Sequence, residues 1–237
     1  MIVAPFGDQL LLTTQTDHAA LAAELLALWR IDDLPRNPRR ETLLLAAREH
    51  DNGWQEADSA PRRRDDGRPQ DFMSIPPDLR REIWNRGVHR HAQSRPEAAL
   101  FILEHALNLH RRRAASTAWR PLIKDWQALR EELIEGTGID PETVAADYRL
   151  LDAADTLSLA VCAGWGKPGE HAGVRYSARI DAEGAELQLD PFPLAGVTTF
   201  TLACRNIENR SYTSDVDLGV TLASSRWMRL PVRVAAL

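Results

Sequence analysis

Five polar side chains stand where hydrophobic stripes would otherwise continue. They are His18 in "TDHAALAAELLALW", His50 and Asp51 in "ETLLLAAREHD", His105 in "PEAALFILEHALNLHRRR" and Asp155 in "DAADTLSLAVC". Burying such a group costs several kcal/mol unless it is hydrogen-bonded, paired or metal-bound. Taken singly, each histidine reads as a core residue with a satisfied hydrogen bond and each aspartate as a helix cap. Taken together they suggest more. If the helices that carry them pack as one body, their stripes converge on one core and the polar members on one point. Two histidines and two aspartates suit a divalent transition metal (Fe, Mn, Ni, Co or Zn), since neutral imidazoles ligate it and carboxylates offset its charge. Neighbouring residues on a helix point about 100° apart, so an ion near a helix end can take both His50 and Asp51.

The elements that must position these groups follow from hydrophobic period. "MIVAPF" and "QLLLTT", separated by Gly7-Asp8, read as a strand or hairpin over residues 1–15. A helix follows, capped by Thr16 or Asp17, with His18, Leu21, Leu25 and Leu28 on one face. A second runs from about Pro38 to Asp51, with Leu43, Ala47 and His50 in line. Residues 55–80 hold four prolines and many charges and read as a long loop over a pocket walled by Trp54. Helices resume with "PDLRREIWNRGVHRHAQ", with a segment opened by Pro96, with "WRPLIKDWQALREELIEGTG", and with a last long region, "DPETVAADYRLLDAADTLSLAVCAGW", that reads as one helix or two. From Gly164 the period becomes two: "VRYSARI" and "AELQLD" around a "DAEG" turn form a hairpin, and "TTFTLACRNI" and "MRLPVRVAAL" are further strands. The expected division is 1–15, a helical body over 16–163, and a β section over 164–237.

Bulk composition excludes several classes. The 237 residues are 44% hydrophobic and 27% charged, with a net charge of −5, which gives no global reason to bind nucleic acid. Arg62-Arg63-Arg64 and Arg111-Arg112-Arg113 read as solvated surface. Cys162 and Cys204 form neither a disulfide framework nor a zinc spacing. No apolar run approaches the ~20 residues that span a bilayer. The opening residues lack the features of a signal peptide. The expectation is a cytoplasmic protein with a small-molecule substrate and no membrane or nucleic-acid partner; a homodimer is compatible with it.

A histidine on one helix, a His-Asp pair on the next and a distant Asp inside "AADTLSL" resemble the HD-domain superfamily, largely metal-dependent phosphohydrolases with a small oxygenase branch. The resemblance covers about residues 16–163. It implies a mainly α, HD-domain-like helical bundle with a small C-terminal antiparallel β section, which the N-terminal strand could join. It also implies metal ligands His18, His50, Asp51 and Asp155. His105, with His89 or His91, would fit a second ion in two-metal members. His110 and His171 read as surface. Many relatives have a lysine where this chain has Trp54, so a phosphate would need Arg62, Arg63, Arg64 or Lys167. More closely, "TDHAALAAELLALW", "EHDNGW", "AALFILEH", "DTLSLAVC" and "DPFP" resemble a bacterial family known only as a domain of unknown function.

Three functions are therefore expected. The first is a metal-dependent hydrolase acting on a small phosphorylated or nucleotide-like substrate, with Asp51 and His105 in catalysis. The second is a di-iron oxygenase using His105 and His91. The third is a non-catalytic metal- or ligand-binding protein.

Overall fold

The computed structural model describes all 237 residues. In chain order it contains β1 (Ile2–Phe6), β2 (Gln9–Thr13), α1 (Gln15–Ala27), α2 (Arg40–Glu49), α3 (Gln55–Ser59), α4 (Pro77–Arg90), α5 (Pro96–His110), α6 (Arg120–Thr137) and α7 (Pro141–Cys162). These are followed by β3 (Gly169–His171), β4 (Val174–Asp181), β5 (Gly184–Asp190), β6 (Thr198–Glu208), α8 (Asp215–Ser224) and β7 (Trp227–Ala236).

All seven strands form one sheet in the order β1-β2-β6-β7-β5-β4-β3. This overturns the expected helical bundle with a small antiparallel β section: the fold is α+β, with a large mixed sheet as one of its layers. The period-two pattern marks strands but not their neighbours. β2 pairs β6 across nearly the whole chain, Leu10 opposite Ile207. β7 inserts between β6 and β5 and runs parallel to β5, Leu187 opposite Val234, which makes the sheet mixed.

Burial alternates along the strands as the pleat requires. On β2, Leu11 enters the main core, whereas Leu10 and Leu12 face a smaller core with Ile207, Tyr212 and Leu218 of α8. The main core joins 48 buried residues from helices and sheet. α1 packs on β6, and α7 packs on β1, β4 and β5. On their other sides α1, α2, α5 and α7 pack on one another, so four helix faces meet in a buried interior.

Local signals set the helix ends. Thr14, not Thr16 or Asp17, caps α1: its Oγ1 accepts from the Asp17 amide at 3.0 Å. Pro96 opens α5 and Gly138, with φ of +69°, closes α6, as a left-handed C-cap favours glycine. α7 is one unbroken helix of 22 residues, capped by Asp140. The expected loop at 55–80 contains α3 and the first turn of α4. No helix is long and apolar enough to cross a membrane.

Candidate metal centre

α1, α5 and α7 deliver one donor each, and the end of α2 delivers two. α1 supplies His18. His50 is the last residue of the α2 turn and Asp51 the first beyond it. α5 supplies His105 and α7 supplies Asp155. All five side chains are buried, none of the residues more than 5% exposed.

Their positioning begins with the chain turn after α2. Asn52 Nδ2 donates to the Glu49 carbonyl at 2.7 Å and to the Gly87 carbonyl of α4 at 3.3 Å. Gly53 lies against the α4 backbone, where an added Cβ would stand 2.2 Å from the Ile83 oxygen. The glycine in "HDNGW" therefore serves a close backbone crossing that pins Asp51.

The donor atoms converge closely. His18 Nε2 lies 3.1 Å from His50 Nε2. It is 3.3 Å from Asp51 Oδ2 and 3.2 Å from Asp155 Oδ1. His50 Nε2 is 3.6 Å from Asp51 Oδ2 and 3.2 Å from Asp155 Oδ1. His105 stands slightly apart, its Nε2 3.8 Å from Asp155 Oδ2.

The outer ring nitrogens fix the tautomers. His50 Nδ1 is 2.7 Å from the Ala47 carbonyl, which can only accept, so Nδ1 carries the proton. The Ser158 hydroxyl donates to the Asp155 carbonyl at 2.9 Å, so His18 Nδ1, 2.7 Å from Ser158 Oγ, must donate to it. In their neutral forms both rings turn a bare Nε2 lone pair inward, onto two carboxylates. Acceptors facing acceptors in a buried interior need a donor or a cation between them, and a proton, a water or a metal ion can supply it.

The donor spacing fits a metal. Bonds of about 2.1 Å from an ion to its ligands place neighbouring ligands about 3.0 Å apart at right angles and about 3.4 Å apart in a tetrahedron. The separations of 3.1–3.6 Å among His18, His50, Asp51 and Asp155 fall around that range. Donor clusters His18-His50-Asp51 and His50-His105-Asp155 share His50 and could hold a metal ion. Without one, the cluster holds protons. Burial opposes charge on His50, but Asp51 and Asp155 more than offset it and lift its pKa to about 9. Burial likewise opposes charge on His18, and hydrogen bonds with Asp155 and Asp51 raise its pKa. Against the upward push of burial, the imidazoles lower Asp51 and hold Asp155 well below the usual carboxylate range. Burial pushes His105 down and favours its neutral form.

The sequence-predicted residues thus sort clearly. His18, His50, Asp51, Asp155 and, at the margin, His105 come together. His89 and His91 do not: His89 is exposed, with Nδ1 on the Asn85 carbonyl, and His91 Nε2 lies 3.2 Å from Glu49. Trp54 walls a cleft of about 200 Å³, together with Ile75, Leu79, Arg62 and Arg86, which none of the five donors lines. Arg64 pairs with Asp66 and Lys167 is exposed. His110, expected at the surface, is buried and stacked on Trp119 at 4.6 Å. His171, also expected at the surface, is only half-buried and holds Asp152 at 2.7 Å. Sequence reasoning passed over Ser158 and Asp152; their signal was spacing of three residues on either side of Asp155, along one helix face.

No curated protein and no solved structure matches the chain, and nothing in the comparisons links it to the HD-domain superfamily. One family model matches, over residues 1–208. The chain belongs to the family described as "Protein of unknown function (DUF3891)".

Proposed function

We propose that this chain is a metal-dependent hydrolase acting on a small phosphorylated or nucleotide-like substrate. The observation that carries the reading is the pair of inward-facing Nε2 atoms of His18 and His50, 3.1 Å apart with both Nδ1 protons committed outward. Two imidazoles and two carboxylates suit Zn, Fe, Mn, Co or Ni, and they are the same four residues to which the HD resemblance points. A bound divalent ion supplies Lewis acidity and lowers the pKa of a coordinated water toward ~7.

The chain's own residues do the rest. Asp51 and Asp155 neutralise the ion's charge inside the protein. His105, neutral and 3.8 Å from Asp155, is the group able to take up and return a proton at Nε2. Arg62 lines the cleft beside Trp54, which none of the five donors reaches, so a substrate phosphate at the centre has no basic partner assigned to it. The donors favour one ion over two. His50 Nε2 has a single lone pair, and His89 and His91 lie elsewhere, so the di-iron expectation lacks a second set of ligands.

The test is a panel of small phosphoesters assayed with Mn, Co, Ni and Fe. The reading expects turnover that is lost in His50→Ala and Asp51→Asn; no turnover dependent on those residues overturns it. A second reading, a metal held for structure, is favoured by the burial of every donor, since structural sites are closed. It predicts metal bound by the wild type with no turnover of any ester in the panel.

A further inference from the structure

Outside the donors, a chain of hydrogen bonds runs from His105 to the edge of the sheet. His105 Nδ1 lies 3.2 Å from the Tyr148 hydroxyl. That hydroxyl is 3.1 Å from Asp152 Oδ1 and accepts from Asn108 Nδ2 at 3.0 Å. Asp152 Oδ2 is 2.7 Å from His171 Nε2. Tyr148, Asp152 and Asp155 lie on one face of α7, at spacings of four and three residues. His171 comes from β3, the edge strand, which is bonded only to β4. A turn with positive φ at Ala172 and Gly173 follows it directly.

The direction of each bond follows from chemistry. A carboxylate only accepts, so Tyr148 gives its single proton to Asp152. Asn108 Nδ2 only donates, so it fills a lone pair of the hydroxyl. The remaining neighbour, His105 Nδ1, meets an oxygen with no proton to offer and must donate one. His105 therefore carries its proton on Nδ1 and presents a bare Nε2 toward Asp155 and His50. Burial keeps the ring neutral and keeps the Tyr148 phenol protonated, its pKa raised by burial and then by Asp152.

We propose that Tyr148, Asp152 and His171 are positioning residues that lock His105 in the Nδ1–H tautomer, so that the sheet edge sets the proton-accepting atom of the buried centre. This rests on the reading of His105 as the base of that centre. It assigns work to three residues that touch none of the four proposed ligands, in the manner of the outer partners that orient histidines at metal sites. It also gives β3 a task that its three residues do not perform for the sheet: they bring His171 back over α7.

The test is long-range proton–nitrogen correlation NMR of the His105 ring in the full chain, free of metal at pH 7. In the wild type the ring proton is expected on Nδ1. In Tyr148→Phe the acceptor is gone and the proton moves to Nε2, toward Asp155. Asp152→Ala has the same effect by another route, because the freed Tyr148 proton turns to His105 Nδ1 and makes that nitrogen an acceptor. His171→Ala leaves Tyr148 and Asp152 in place and yields a mixture of the two tautomers. A wild-type ring protonated at Nε2, or one that stays protonated at Nδ1 in both Tyr148→Phe and Asp152→Ala, overturns the proposal. The wild-type spectrum needs no variant to fold. Because no ion is present, failure here is distinct from a failure to bind metal, which the same samples report on titration with Co²⁺.

Discussion

His18 Nε2 and His50 Nε2 approach to 3.1 Å with their outer nitrogens held by Ser158 and the Ala47 carbonyl. Two neutral imidazoles so held repel each other and the carboxylates beside them. A cation at their meeting point converts this repulsion into binding. Metal should therefore stabilise the fold. At a free ion concentration a hundredfold above Kd the gain is about 2.7 kcal/mol, which for a chain of this size raises Tm by roughly 5–10 °C. Calorimetry with and without Mn, Co, Ni, Fe or Zn checks it. Asp51→Asn and Asp155→Asn should melt at the same temperature in both conditions, and a metal-induced rise in those variants equal to that of the wild type would contradict the ligand assignment.

Gly53 tests how the doublet is held. An alanine there would set its Cβ 2.2 Å from the Ile83 oxygen and 2.9 Å from the Gly87 nitrogen, backbone atoms that cannot step aside. Gly53→Ala should cost about 3 kcal/mol, the upper end for overpacking, and should weaken metal binding by displacing Asp51. At Gly87 the added carbon meets its nearest atom at 3.3 Å, and the loss should be nearer 1 kcal/mol. Urea unfolding of the two variants side by side gives the comparison; equal losses would show that the crossing at Gly53 is not the constraint.

Asp147 anchors the start of α7 without touching the centre. It accepts from Arg39 Nε and from Asn37 Nδ2, each at 2.6 Å. Replacing it with alanine leaves a half-buried guanidinium without its carboxylate. Breaking buried pairs costs about 3–5 kcal/mol; with Arg39 partly exposed, about 2–3 kcal/mol is expected. Metal content should stay at the wild-type level. Loss of metal along with stability would mean that the α7 anchor and the centre are coupled.

His110 gives acid sensitivity independent of any metal. Its burial among Trp84, Trp119 and Trp126, with Arg113 and Arg80 nearby, pushes its pKa down to about 4. The unfolded value is about 6.5, so below that pH the unfolded chain binds a proton that the folded one resists. The stability due to the neutral ring is fully present above pH 6.5 and fades as pH falls toward 4, by about 3 kcal/mol in all. His110→Phe retains the stacking and removes the titration. Over that window the wild type should lose about 3 kcal/mol relative to the variant, and parallel stability curves would refute the assignment.

The donors were legible in the sequence because a polar residue on an apolar helical stripe breaks a strong pattern. His18, His50, His105 and Asp155 each do so, and the His50-Asp51 doublet marks a helix end. Their outer partners were not legible. Ser158 and Asp152 look like ordinary polar positions on a helix, and His171 sits in a strand too short to show a period. The sheet was only half legible: its strands alternate visibly, but nothing local in "QLLLTT" says that it pairs with "CRNIE", or that β7 lies between β6 and β5. α8 left no stripe, since Leu218 is its one buried residue while Val216 and Val220 face solvent.

Metal analysis of the full chain purified without added metal, alongside Asp155→Asn, addresses the central claim most directly. The account predicts close to one transition-metal ion per wild-type chain and almost none in the variant, with both proteins folded. A wild-type chain that holds no ion even after incubation with each candidate metal, or that holds the same amount as Asp155→Asn, would contradict it.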